Sequence, residues 1–142
     1  MQTFLPYPTY MKSARALDRQ RLGKQRVETL QLLKALHEGG GWSNHPAARM
    51  WRGYEPALVT YGAMVCIAWR NRGYKDTCLQ KILAYDPDEL RFDPSTPEPP
   101  WLGDPDLHAS HRSNLLRKDF EHYSQFGWDE PDDLPYIWPV SK

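Results

Sequence analysis

A chain of 142 residues, 40% hydrophobic and 25% charged, is long enough to bury a core unaided, and its two cysteines, Cys66 and Cys78, exclude a disulfide framework or a four-thiolate zinc site. It carries neither a basic-then-apolar leader nor a run of about 18 apolar residues, so the expectation is one cytoplasmic domain over residues 1–142 that neither spans a membrane nor is secreted. Formal neutrality, 18 Lys+Arg against 18 Asp+Glu, hides a division: residues 1–81 hold 13 bases and 5 acids, and residues 82–142 hold 5 and 13. That division fits a basic half facing a polyanion, or two halves that neutralise each other on folding.

In chain order the pattern is helical, with almost no strand signal. Thr9 is placed to cap a short helix from Tyr10, and Asp18 to cap a longer one that three glycines, Gly39 to Gly41, bring to a stop. After Asp18, the segment to Leu33 holds four bases and one acid, Glu28. At about 100° per residue, Arg21, Lys24, Gln25, Glu28 and Gln31 share one stripe, and Leu22, Leu30, Leu33 and Leu36 gather opposite. A solvated helix would intersperse acids among its bases to gain i,i+4 pairs, and this one does not. Asn44-His45-Pro46 opens the next helical region, which breaks at Gly53 and restarts near Glu55-Pro56. Leu58, Tyr61, Val65 and Trp69 then recur at core-helix spacing until Gly73. A short helix from about Asp76 to Tyr85 precedes a proline-rich, irregular stretch from Asp86 to Pro105. Asp104-Pro105 reads as a cap and first turn of a last helix. The acidic, aromatic end, G-W-D-E-P-D-D-L-P-Y-I-W-P, is rich enough in rings to pack on the body. The fold class expected is all-α, one compact helical domain with a proline-rich loop and an irregular C-terminal segment.

The run D-x-x-R-L-x-K-Q-x-V-E-x-x-Q-L-L, Asp18 to Leu33, resembles the motif helix of the pyrimidine-dimer DNA glycosylases, the endonuclease V type of phages and its bacterial relatives. N-H-P-x-x-x-x-W from Asn44 and R-G-Y-K-D from Arg72 are similar to elements of the bacterial relatives. S-H-R-S-N-L-L-R-K from Ser110, followed by Y-S-Q-F-G-W, resembles the family's C-terminal Arg/Lys helix and its aromatic DNA-facing segment. The resemblance implies a DNA repair enzyme with glycosylase and abasic-site lyase activity, acting on damaged DNA as a monomer without metal or cofactor. The catalytic acid/base would be Glu28, and the nucleophile the α-amine of residue 1. DNA contacts would come from Arg21, Lys24, Gln25, Arg26, His45, His111, Arg112, Arg117, Lys118 and Tyr123.

First principles suit that chemistry. An ordinary α-amine with a pKa of about 7.7–8.0 is unprotonated at pH 7 a few hundredfold more often than a lysine at about 10.4, which makes it the better Schiff-base nucleophile. A neighbouring carboxylate can stabilise the cationic sugar and relay protons. The phage enzymes expose a threonine after loss of the initiator methionine, whereas residue 2 here is Gln2, so either Met1 stays and offers its own amine or the chemistry differs. Two alternatives stay open: a non-catalytic nucleic-acid binder on the same scaffold, and a metal-dependent phosphodiesterase built on Asp104, Asp106, His108 and His111 with His45 as a third ligand.

Overall fold

The computed structural model describes residues 1–139, with the backbone alone at Phe92. Its first helix, α1 (Tyr10–Ala16), follows Thr9, whose side chain makes no capping bond. The start is secured instead by Ser13, whose hydroxyl accepts from the Tyr7 amide (3.1 Å) and donates to the Tyr7 carbonyl (2.9 Å). Asp18 does cap α2 (Arg19–Glu38): its carboxylate accepts from the Arg21 amide, and Gly39, at φ 81°, ends the helix in a conformation that L side chains resist. His45 caps α3 (Pro46–Trp51) by accepting the Ala47 amide on Nδ1 (3.0 Å). The chain turns at Gly53, φ 89°, into α4 (Glu55–Asn71). The helix expected from Asp76 starts later, as α5 (Leu79–Leu83), because the Asp76 carboxylate faces the Cys78 and Leu79 amides (3.1 and 2.9 Å) and acts as its anchor. Asp104 caps α6 (Pro105–Lys118) and Asp119 caps α7 (Phe120–Tyr123). Among the described residues the regular structure is α-helix and 3-10 turns, the latter at Gly41–Asn44, Leu90–Phe92 and Ser124–Phe126; the protein is all-α.

Helix α4 runs through the middle of the core, burying Leu58, Tyr61 and Val65, with Trp51 of α3 against it. It meets α2 at Gly62, where an added Cβ would lie 2.6 Å from Thr29 Cγ2 and 3.2 Å from Ile82. The buried stripe of α2 is rotated from the one its leucines suggest. Leu22, Leu32 and Leu33 are buried, Leu30 and Leu36 are only half-buried, and Gln25 and Thr29 lie inside.

Those polar groups are inside because residues 3–6, outside any helix, thread the interior. A buried backbone group must find a partner, and side chains supply them here. Trp51 Nε1 donates to Thr3 Oγ1 (3.2 Å), and the Tyr136 hydroxyl to the Thr3 carbonyl (2.7 Å). The Phe4 amide donates to Gln25 Oε1 (3.2 Å), and the Leu5 amide to His111 Nδ1 (2.9 Å). His108 Nδ1 donates to the Leu5 carbonyl (2.7 Å), and Arg112 Nη1 to that of Pro6 (2.8 Å). The acidic C-terminal segment lies over this arrangement: the Leu134 and Ile137 amides donate to Ser113 and Ser110 of α6 (3.0 and 3.2 Å), and Trp128 Nε1 to the Tyr7 hydroxyl (3.0 Å).

Two outcomes follow from this packing. Gly62→Ala should destabilise the protein by about 1–3 kcal/mol in urea unfolding, because the added methyl overpacks the α2–α4 crossing. Burial, then the neighbouring His108 and Arg112, hold the His111 imidazole down at about 3 against an ordinary 6.5. Between those values the unfolded chain binds the extra proton, so this contribution is intact above about pH 6.5 and shrinks by about 1.4 kcal/mol per unit as pH falls. Urea titrations from pH 7 to 5 should show that loss, and His111→Gln should flatten the slope by about one proton.

Candidate active site and nucleic-acid interface

Positions 21, 24, 25 and 28 fall on one side of α2, and that side forms the wall of a cavity of about 140 Å³ whose other walls are the N-terminal residues and the last residue of α6. Met1, Gln2, Arg21, Lys24, Glu28 and Lys118 line it, and Gln25 closes its inner end. The two groups expected to carry the chemistry, Met1 and Glu28, therefore share one small space. Gln25 Nε2 donates to Glu28 Oε2 (3.1 Å) and to the Gln2 carbonyl (2.9 Å), joining the carboxylate to the chain just after Met1.

The charges around the cavity are mostly positive. Arg21 is partly engaged, its guanidinium 3.2 Å from Asp18. Burial alone would raise the Asp18 carboxyl, but hydrogen bonds from Tyr123 and Arg21 outweigh it and hold Asp18 below the usual carboxylate range. Lys24 and Lys118 are exposed and have no salt bridge among the described residues. Burial, then the positive charge of the N-terminus, lowers the His45 imidazole below its ordinary value. Its Nδ1 is the acceptor that caps α3, so the neutral ring carries its proton on Nε2 and offers a donor there.

A second, shallower groove of about 770 Å³ opens beside the cavity and shares Lys24 and Glu28 with it. Its far wall is Val27, Trp69 and Tyr74, with the two rings 4.4 Å apart and inclined by 32°. Gly23 lets the Trp69 indole lie against α2, since a Cβ there would come within 3.1 Å of the ring. Sequence reasoning placed Trp69 in the core from its helical spacing; its position on the end of α4, beside the turn at Gly73, puts it at the groove.

Several expected DNA contacts lie elsewhere. His111 and Tyr123 are fully buried, and Gln25 is 1% exposed. Tyr123 donates its hydroxyl to Asp18 and stacks on Trp128 at 5.6 Å and 14°, so its ring is held in the body, while Phe126 and Trp128 stay half-buried. Arg26 pairs with the buried Asp76 (2.6 Å) and lies over Trp69, 4.5 Å from the ring centroid. Arg112 pairs with Glu130, and the exposed Arg117 donates to the Asp132 carbonyl (3.1 Å). These arginines are thus engaged within their own halves of the chain, Arg26 with Asp76 in the first and Arg112 and Arg117 with Glu130 and Asp132 in the second, so these contacts do not neutralise one half against the other. The histidines grouped as possible metal ligands serve the backbone: His108 donates from Nδ1 to Leu5 and accepts the Gly103 amide on Nε2 (2.9 Å), and His111 Nδ1 is taken by Leu5. Asp104 is a helix cap. Among the described residues no three His, Cys, Asp or Glu side chains gather as a metal site, and no helix is long and apolar enough to cross a membrane.

Residues 1–82 match the model of the family described as pyrimidine dimer DNA glycosylase, a span that holds Met1, the whole of α2 with Glu28, and α3 and α4. No curated protein and no solved structure gives a significant match. The match takes in more than half of the chain and both groups that meet in the cavity, and the chain belongs to the pyrimidine dimer DNA glycosylase family.

Proposed function

We propose that this DNA repair glycosylase cuts the glycosidic bond at a damaged pyrimidine and then the strand, with the α-amine of Met1 as nucleophile and Glu28 as its acid/base partner. The observation that carries the reading is the single cavity lined by Met1 and Glu28 and rimmed by Lys24, Lys118 and Arg21. The amine lone pair attacks the sugar's anomeric carbon, and the bond to the base breaks with its electron pair leaving on the base, which takes up a proton. Opening of the sugar ring, with protonation of its oxygen, leaves an imine between the amine and the sugar. Loss of a proton from the neighbouring carbon then expels the 3′ phosphate by β-elimination. Glu28 faces the cation that develops before the imine forms and relays protons at the ring oxygen. The rim lysines grip phosphates on either side, and the substrate is damaged duplex DNA bound by a monomer.

Borohydride added to the protein with abasic-site DNA should trap a covalent adduct, and peptide mapping should find it on residue 1. Acetylation of the amine should abolish trapping with DNA affinity retained, and Glu28→Gln should cost about a hundredfold or more in strand cleavage. An adduct on Lys24 or Lys118 would replace the nucleophile, and no adduct with any lesion would favour a binder without catalysis.

Affinity for duplex DNA should fall with salt by about 0.9 log units per log unit of salt for each phosphate contact. Lys24→Ala and Lys118→Ala should each flatten that slope by about one contact and weaken binding to all sequences alike. A slope unchanged in both variants would move the phosphate grip elsewhere.

A further inference from the structure

Gln25 was the one member of the polar stripe of α2 to be drawn inside, and it is 1% exposed beneath the cavity. Its amide meets four groups. Oε1 lies 3.2 Å from the Phe4 amide and 2.6 Å from the Tyr61 hydroxyl. Nε2 lies 2.9 Å from the Gln2 carbonyl and 3.1 Å from Glu28 Oε2. The orientation is unambiguous, because a flipped amide would set its nitrogen against the Phe4 N–H and its oxygen against the Gln2 carbonyl and a carboxylate. The Tyr61 hydroxyl, with one proton to donate, is closer to Oε1 (2.6 Å) than to the Phe4 carbonyl (3.0 Å), so the amide is braced from α4 on its acceptor side.

We propose that Gln25 is a positioning residue, which holds the N-terminal amine and the Glu28 carboxylate at a working separation; this rests on the amine and carboxylate reading above. One Nε2 proton fixes the carbonyl of Gln2, which follows Met1 directly, and the other fixes the Glu28 oxygen. A single amide therefore links the residue that follows the nucleophile to the acid/base. Glutamine suits the place uniquely by chemistry: a carboxylate would lack both donors and bring a second negative charge against Glu28, and an apolar side chain would leave the Phe4 amide and Gln2 carbonyl without it. The contribution is to the geometry of the reacting pair, where a displacement of about 1 Å can cost about a hundredfold in rate.

Gln25→Met keeps the length and removes all four bonds without adding charge; Tyr61→Phe keeps the amide and removes its brace together with the hydroxyl's contacts to the Phe4 backbone. Each is compared with wild type by single-turnover cleavage of abasic-site duplex at saturating protein, by duplex affinity, and by borohydride trapping, with folding checked by circular dichroism. Gln25→Met should cleave about a hundredfold more slowly with affinity within about threefold of wild type, and Tyr61→Phe should show about a tenfold loss of the same kind. If Gln25→Met does not fold, Tyr61→Phe decides. Cleavage at the wild-type rate in the deciding variant, or rate and affinity falling together, overturns the positioning role. A wild type that does not trap at residue 1 overturns the amine mechanism and this role with it, whereas trapping at residue 1 with an undiminished variant overturns this role alone.

Discussion

A non-helical stretch of chain buried with no strand beside it among the described residues is the constraint around which the rest of the structure is arranged. A strand in a sheet meets its hydrogen-bonding needs through neighbouring backbone; residues 3–6 have no strand beside them among the described residues, and side chains from three helices and the C-terminal segment meet those needs instead. Gln25 comes from α2, Tyr61 from α4, His108, His111 and Arg112 from α6, and Tyr136 from the C-terminal segment. Each bond contributes only about 1 kcal/mol net, but leaving either partner alone in the interior costs about 1–3 kcal/mol. The polar core residues and the N-terminal chain thus depend on one another.

The same threading brings the start of the chain to Glu28. Residues 1 and 28 meet because residues 3–6 are held between α2 and α6, and the two helices supply the cations of the rim, Lys24 from the basic half and Lys118 from the acidic one. Lys118, like the histidines and Tyr136 that hold the N-terminal chain, lies beyond the residues matched to the family. The second part of the chain therefore completes and supports a site whose central groups belong to the first.

Charge is divided between two tasks. The arginines nearest the acidic residues are engaged: Arg26 with Asp76, Arg112 with Glu130, Arg21 partly with Asp18. Partly buried pairs of this kind add little net stability against well-packed apolar groups, but they set direction, here fixing α5 to α2 and the C-terminal segment to α6. The lysines at the cavity have no salt bridge among the described residues, as the proposed grip on phosphate requires.

Much of this was legible in the residues themselves. Caps at Asp18 and Asp104, stops at Gly39 and Gly73, and the 3.6-residue recurrence of Leu58, Tyr61 and Val65 are local signals, and local geometry alone sets them. The motif around Glu28 likewise marked the helix that carries the site. What only the tertiary structure decided is which polar residues face inward. Gln25 sits on the same helical stripe as Lys24 and Glu28, and His111 stands beside Arg112, so no periodicity separates an inward-facing polar residue from an exposed one. That choice depends on a chain segment more than 20 residues from Gln25 and more than 100 from His111 passing through the interior and requiring their hydrogen bonds, a demand that exists only once the fold has closed.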